Sequence, residues 1–178
     1  VLFAAITDAN YATADLASKG VKSVVLDLRD NPGGYLDGAV SVSSEFVASG
    51  TIVEERSRHF SQPKTMIANA GGNLTKEKVI VLINQGSASA SEITAGALKD
   101  NGRATLVGEK SFGKGSVQEV RELTNGSQLK ITVAHWYTPK GVNISKEGIA
   151  PDVEVKLTND DYNAGRDPQL DKALELAR

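Results

Sequence analysis

Two nearly continuous apolar runs stand out along the chain, "KSVVLDLRD" at residues 22–30 and "KVIVLINQ" at residues 78–85. Unbroken runs of this length, rich in β-branched residues, are typical of strands that are buried on both faces, as in a parallel sheet. Two shorter runs, "VLFAAI" at residues 1–6 and "ATLVG" at residues 104–108, predict further strands.

Helical patterns separate these strands. Residues 10–20 predict a short helix that ends at Gly20, and residues 35–49 carry an apolar stripe with Gly50 placed as a C-terminal cap. A third helix is predicted up to about Asp100 and a fourth over residues 168–178. "TIVEERSRH" at residues 51–59 alternates like a strand, whereas the polar residues 60–77 predict a loop.

The last third of the chain has a different pattern. "SVQEVREL" and "SQLKITVAHWYT" flank Asn125-Gly126, a dipeptide that predicts a type I′ turn and therefore a β-hairpin. "PDVEVKL" at residues 151–157 predicts a final edge strand. Strands alternate with helices only in the first two thirds, so the predicted class is α/β with an appended β-hairpin.

Composition narrows the functional classes. The 178 residues predict one domain, and the net charge of -2 without a basic stripe argues against a nucleic-acid partner. The absence of cysteine excludes a disulfide, a thiolate nucleophile and a cysteine-based zinc site. No apolar run reaches the ~20 residues of a membrane span. The opening "VLFAAITDAN" is typical of an internal strand, so we expect residues 1–178 to be an excised or processed part of a longer protein.

The segment "QGSASASEITAG" places Ser87, Ser89 and Ser91 just before a helix. Ser89 and Glu92 have the spacing of a capping box, which is the structural interpretation of this pattern. A serine at a helix N-terminus also lies where free N–H groups favour an oxyanion, so the cap does not exclude a nucleophile. The Gly-x-Ser-x-Gly elbow of esterases is absent.

A nucleophilic serine needs a base, and the candidates are His59, His135 and Lys114. Both histidines lie in predicted strands, where a structural role is the usual one. Lys114 in "SFGKGSVQ" has apolar or side-chain-free neighbours, and removal from water favours the neutral amine that a base requires; a solvated loop lysine is the alternative. "GEKSFGKG" also approaches a P-loop, but Gly115 stands where a magnesium-binding serine or threonine belongs and a strand pattern follows, which disfavours nucleotide binding.

Several of these segments together resemble a known family. "VVLDLRDNPGG", "VLINQGSASASEITAGALKD", "LVGEKSFGKGSVQ", "WYTPKG" and "GIAPDVEV" occur in the order and with the approximate spacing of the C-terminal processing peptidases, also called tail-specific proteases. The resemblance covers nearly the whole chain. It implies a serine–lysine endopeptidase with a crotonase/Clp-protease-like core.

The resemblance also assigns the site residues. It implies Ser89, the middle serine, as the nucleophile and Lys114, 25 residues later, as the general base. Gln118 matches the residue that orients the lysine, and alternate strand positions 114, 116 and 118 would face one way. The implied oxyanion hole consists of the Ala90 N–H and that of Gly33 or Gly34, because a glycine amide can come close to a substrate oxygen. No metal or organic cofactor is implied.

The resemblance further implies protein or peptide substrates cleaved through an acyl-enzyme near their C-termini, and an extracytoplasmic location in a periplasm or thylakoid lumen. Family members usually carry a PDZ domain ahead of this core, and nothing in the chain resembles one. A homo-oligomer is compatible with the sequence. The alternatives are a peptide-binding or scaffold module of the same fold without turnover, and acyl chemistry on a non-peptide substrate.

Overall fold

The computed structural model describes residues 2–3, 9–145 and 147–178. Five helices and nine strands lie within these residues. In chain order they are β1 (Leu2–Phe3), α1 (Ala9–Ser18), β2 (Ser23–Asp27), α2 (Leu36–Ser44), β3 (Thr51–Arg56), β4 (Lys64–Ile67), β5 (Lys78–Ile83), α3 (Ala90–Asp100), β6 (Ala104–Gly108), β7 (Ser116–Glu122), β8 (Gln128–Tyr137), β9 (Val153–Glu154), α4 (Asn159–Asn163) and α5 (Pro168–Ala177).

The apolar runs form one parallel sheet of five strands in the order β1-β2-β5-β6-β9. Leu26, Ile80 and Leu106 are fully buried in its central strands, which confirms the prediction of strands covered on both faces. The two residues of β1 fall in the predicted first strand, and the rest of that prediction lies outside the described residues. The predicted edge strand near residue 153 is confirmed as β9.

A second, antiparallel sheet has the order β4-β3-β8-β7. Its strand β4 lies in the stretch predicted as a loop, so that prediction is wrong. Only Met66 of its four residues is half-buried against the core, and one such residue leaves no alternating hydrophobic pattern in the sequence. The predicted hairpin is present as β7 and β8, and because β8 also pairs with β3 it forms half of a sheet.

The turn of this hairpin differs from the prediction. The Gly126 N–H donates to the Leu123 carbonyl at 2.9 Å, and the Leu123 N–H donates to the Ser127 carbonyl at 2.8 Å. Gly126 has a φ of 78°, but Asn125 does not have the positive φ that a type I′ turn requires of both central residues. The connection is therefore a three-residue loop in which only the glycine adopts the left-handed conformation.

Helix α2 ends at Ser44, earlier than predicted, and Gly50 is not its cap. The carbonyl of Glu45 accepts the Leu74 N–H at 2.9 Å, and its carboxylate accepts the Thr13 hydroxyl at 2.7 Å and the Asn73 side chain at 2.8 Å. These contacts with distant parts of the chain draw the backbone out of the helix. Local periodicity could not show them.

Apolar side chains cover both faces of the parallel sheet. On one face, Val25, Ile80 and Leu82 pack with Ala173 of α5. On the other face the larger core lies between the sheet, α2, α3 and the antiparallel sheet, with Phe46 at 1% exposure as its largest fully buried side chain. Within the described part of the chain, no helix combines the length and apolarity needed to cross a bilayer.

Acid should destabilise the fold partly through Glu45. Burial alone would raise the pKa of this carboxyl, but hydrogen bonds from Thr13, Asn73 and Asn10 outweigh burial and hold the pKa below the usual glutamate value. This stabilisation is complete above the pKa of an unfolded glutamate, about 4.3, and is lost as the pH falls through the lower folded-state pKa.

The measurement is urea unfolding of the chain and of Glu45→Gln across a pH series. The variant should unfold with a free energy lower by about 1–2 kcal/mol at neutral pH, and its stability should decline less steeply below about pH 4.5. Parallel declines in the two proteins would show that Glu45 does not contribute.

Candidate active site

Three loops meet at the carboxyl ends of neighbouring parallel strands. The "NPGG" turn follows β2, the serine segment follows β5 and the "SFGKG" segment follows β6, and in a parallel sheet these ends lie at one edge. Main-chain hydrogen bonds join the loops: the Ala88 N–H donates to the Asn31 carbonyl and the Phe112 N–H to the Ser87 carbonyl, both at 3.0 Å. The structure therefore brings together the three segments that the sequence singled out.

The three serines differ sharply in conformation. Ser89 has a φ of 57° and a ψ of −118° and is half-buried. Ser87 and Ser91 are buried, and the Ser87 hydroxyl donates to the Leu28 carbonyl at 2.8 Å. Among the described residues other than glycine, only Ser89 and Asp30 have a positive φ. Such strain is stored at functional sites when the surroundings enforce it, which distinguishes Ser89 from its neighbours.

Gly33 lies directly against Ser89. A Cβ at Gly33 would come within 2.5 Å of the Ala88 carbonyl oxygen and 2.9 Å of the Ser89 Cβ, so no larger residue fits. The Gly33 N–H donates to the Asn31 side chain at 2.9 Å. The Gly34 N–H, by contrast, has no acceptor among the residues that the structure describes, and Ala90 begins α3, where an N–H has no intrahelical partner.

The carboxylate of Glu92 connects the serine and lysine segments. Oε2 accepts the Ser89 N–H and the Lys114 N–H, each at 2.8 Å, so both main chains are held to one oxygen atom. Oε1 accepts the Ser111 hydroxyl and the Gly113 N–H, each at 2.6 Å. Glu92 therefore fixes the backbone of the predicted nucleophile relative to that of the predicted base.

Glu92 is completely buried, and no lysine or arginine in the described part of the chain forms an ion pair with it. A buried carboxylate is costly unless hydrogen bonds satisfy it. Here four donors do so, and its position in the first turn of α3 adds the favourable interaction with the helix dipole. The sequence showed the capping box between Ser89 and Glu92 but not the reach of Glu92 to residues 111–114.

Lys114 departs from one expectation. Its backbone is held by Glu92, but its side chain is exposed rather than removed from water. The reason is local: Gly113 and Gly115 have no side chains with which to cover it, and Phe112 is itself 67% exposed. The described residues therefore do not provide the apolar surroundings that the sequence predicted for this amine.

Gln118 lies in β7 opposite a bulge in the neighbouring strand. Val117 pairs with Ala134 while Gln118 pairs with Thr132, so Val133 is the extra residue and the bulge belongs to β8. Strand β7 has no insertion here, and residues 116 and 118 keep the alternation that places them on one face. Gln118 is exposed, and its orienting role stays a prediction.

The two histidines lie away from the serine segment. His135 lies in β8 of the second sheet, and its Nδ1 is 2.7 Å from the Ser145 hydroxyl. His59 is exposed just after β3. Neither forms a hydrogen bond with Ser89 within the described residues. Nor do the described residues contain a group of three or more histidine, aspartate or glutamate side chains placed to hold a metal ion.

Two further residues position the loops and were not predicted. The Asn84 side chain accepts the N–H groups of Asp30 and Gly86, both at 2.9 Å, and donates to the Asp30 carboxylate at 3.0 Å. The Ser111 hydroxyl accepts the Ile149 N–H at 2.7 Å while it donates to Glu92. A residue that acts only through contacts across loops leaves no spacing pattern in a single sequence.

Comparison with known proteins identifies the family of this chain. The profile of Peptidase family S41 matches residues 4–155. A carboxy-terminal-processing protease of Bartonella bacilliformis is 47% identical over 169 residues, covering 92% of this chain and 39% of that protein. A carboxyl-terminal-processing protease of Synechocystis sp. is 42% identical over 169 residues, covering 93% of this chain and 39% of that protein.

A solved structure is also similar to this chain in fold and in sequence. The structure of the photosystem II D1 C-terminal processing protease superposes with a TM-score of 0.79 at 39% identity, over 83% of this chain and 38% of that one. The chain belongs to Peptidase family S41, a family of serine-type peptidases. It spans about two fifths of the length of these relatives.

Glu92→Gln should lower peptide cleavage more than it lowers stability. The amide nitrogen of glutamine cannot accept hydrogen bonds, so at least one pair of the four donors would lose its acceptor. We expect kcat to fall about 100-fold with KM changed little, because a small misplacement of reacting groups costs about this much.

Ser111→Ala is the matched control, because it removes one hydrogen bond to Glu92 without touching the Ser89 or Lys114 contacts. Urea unfolding and peptide kinetics are measured on both variants. If Ser111→Ala loses as much kcat as Glu92→Gln at equal loss of stability, Glu92 acts only through folding.

Proposed function

We propose that the chain is the catalytic part of a serine endopeptidase of the Ser/Lys type, which cleaves proteins near their C-termini. The observation that carries this proposal is the strained Ser89 held to the Lys114 backbone through one oxygen atom of Glu92. The names of the Bartonella bacilliformis and Synechocystis sp. relatives support the choice of C-terminal processing.

In the proposed mechanism, Ser89 Oγ attacks the scissile carbonyl while the neutral Lys114 amine removes its proton. The Gly34 and Ala90 N–H groups donate to the oxyanion; we favour Gly34 over Gly33 because Asn31 already accepts the Gly33 N–H. The lysine then protonates the leaving amine, so the C-terminal fragment departs and an acyl-enzyme remains. A water molecule, deprotonated by Lys114, hydrolyses the ester. Gln118 orients the lysine amine.

The exposure of Lys114 gives substrate a second role. A polypeptide lying over Ser89 would cover the neighbouring lysine and displace water from it. Removal from water favours the neutral amine over the ammonium ion, so substrate binding itself would help to produce the base. The active arrangement is thus completed by the peptide.

A cavity of about 220 Å³ adjoins the proposed oxyanion hole. Its walls include Leu28, Ala39, Val42 and Thr94, all nearly buried, and Tyr35 stands at its rim with 90% exposure. The volume lies below that of typical small-molecule sites and suits a single side chain. We propose that it receives the apolar side chain on the acyl side of the scissile bond.

A peptide-binding or scaffold module without turnover is the second candidate, and the exposed Lys114 is the observation that favours it. The two candidates share the fold, for which we propose a crotonase/Clp-protease-like core. We also propose an extracytoplasmic or lumenal location; two relatives, from Arabidopsis thaliana and Tetradesmus obliquus, are named chloroplastic.

Ser89→Ala and Lys114→Ala should each reduce kcat/KM for a quenched-fluorescent peptide by at least about 10⁴-fold, because they remove the nucleophile and its base. Gln118→Ala should have a smaller effect. The matched controls are Ser91→Ala and Lys110→Ala, which should retain activity and folding. The assignment would be contradicted if Lys110→Ala lost activity as Lys114→Ala does, or if both serine variants kept full activity. Peptide binding by the unsubstituted chain without any cleavage would favour the scaffold.

The cavity predicts selectivity for the residue on the acyl side of the bond. Peptides with leucine or valine there should be cleaved at least about 100-fold more efficiently than peptides with aspartate or lysine, because a buried unpaired charge is costly. Gly38→Leu places a side chain into the cavity and should shift the preference from leucine towards alanine. If Gly38→Leu leaves the ratio of kcat/KM for the leucine and alanine peptides unchanged, the side chain on the acyl side binds outside this cavity.

A further inference from the structure

A second concave surface lies on the antiparallel sheet, apart from the serine segment. Residues 131–135 and Tyr137 of β8 line it on one side, and the turn after β3 lines it on the other with Arg56, Arg58 and His59. We call this surface the β8 groove. It encloses about 710 Å³ and is the larger of these two cavities.

The charges of the β8 groove are of one sign. Arg56 lies 4.3 Å above the Tyr137 ring and pairs with Glu54 at 2.6 Å, whereas Arg58 is exposed and forms no ion pair within the described residues. No carboxylate lines the groove, although the whole chain has a net charge of -2. Because Glu54 compensates Arg56, Arg58 is the cation of the groove with which an acidic ligand can pair.

One edge of β8 is open along the groove. Strand β3 pairs with β8 only at Tyr137, Trp136 and His135, and after Arg56 the chain turns away. Residues 128–134 of β8 therefore have a strand partner on the β7 side alone among the described residues. A single side-chain bond, from the Ser57 hydroxyl to the Val133 carbonyl at 2.6 Å, takes the place of the missing strand pairing.

The side chains next to this open edge are apolar and exposed. Leu129 is 46% exposed and Ile131 is 37% exposed, and the extra residue Val133 places both on the face opposite to that of His135. Across the hairpin Glu119 pairs with Arg121 at 3.2 Å, so its charge is already compensated. A long open edge with exposed apolar residues is the surface to which an extended chain adds as a further strand.

We propose that the β8 groove binds an extended acidic polypeptide segment, which adds as a strand along residues 128–134. Main-chain hydrogen bonds to β8 hold the segment, its apolar side chains lie on Leu129 and Ile131, and its carboxylates face Arg58 and His59. This binding does not require Ser89 or Lys114, so it is an additional docking site of the chain.

The test is fluorescence anisotropy with the full chain carrying Ser89→Ala, which prevents cleavage of the probe. The probe is a fluorescein-labelled peptide of four Glu-Val repeats, compared with four Lys-Val repeats and with a Glu-Val peptide N-methylated at alternate residues. The Glu-Val peptide should bind at least about tenfold more tightly than either comparison peptide, and its affinity should fall between about 50 and 500 mM NaCl.

Two variants locate the site. Arg58→Ala should weaken binding about threefold and Arg58→Glu about tenfold, whereas Lys76→Ala, which removes an exposed cation outside the groove, should leave the affinity unchanged. Hydrogen exchange should slow in residues 128–134 when the Glu-Val peptide is bound. Equal binding of the N-methylated peptide, equal weakening by Lys76→Ala, or displacement by an oligonucleotide as effective as by the peptide would overturn the proposal.

Discussion

The carboxylate of Glu92 is the interaction on which the site depends. It binds the main chains of Ser89 and Lys114 through one oxygen, and Ser111 and Gly113 through the other, at full burial. Two loops that follow different strands are thereby held in one arrangement, which the parallel sheet alone would not enforce. Because all four donors would be left unsatisfied without it, the loops and the carboxylate stabilise one another.

The proposed chemistry combines this fixed backbone with an exposed lysine side chain. Ser89 is held in a strained conformation, and Gly33 fits against it without space for a Cβ. The Lys114 amine is exposed, so the two backbones are in place while the proposed base lies in water. Binding of a peptide would then remove water from the Lys114 amine. Without a bound peptide, Ser89 would have no neutral base beside it.

The sequence predicted those parts of the molecule that local pattern determines. The buried strands β2, β5 and β6 are continuous apolar runs, and the three segments of the site follow them directly. Features that arise from contacts between distant residues were missed: strand β4, the early end of α2 at Glu45 and the bulge in β8 opposite Gln118. The same holds within the site, where the capping box was visible but the reach of Glu92 to Lys114 was not.

The most direct measurement is a crystal structure of the full chain after reaction with a peptide boronic acid that carries a leucine side chain beside the boron. The account predicts a bond from Ser89 Oγ to boron, a boronate oxygen ~2.7–3.1 Å from the Gly34 and Ala90 nitrogens, and Lys114 Nζ within ~3.2 Å of Ser89 Oγ. Glu92 should keep its bonds to both main chains. An adduct on another residue, or a reacted Ser89 with the Lys114 amine still in solvent, would contradict it.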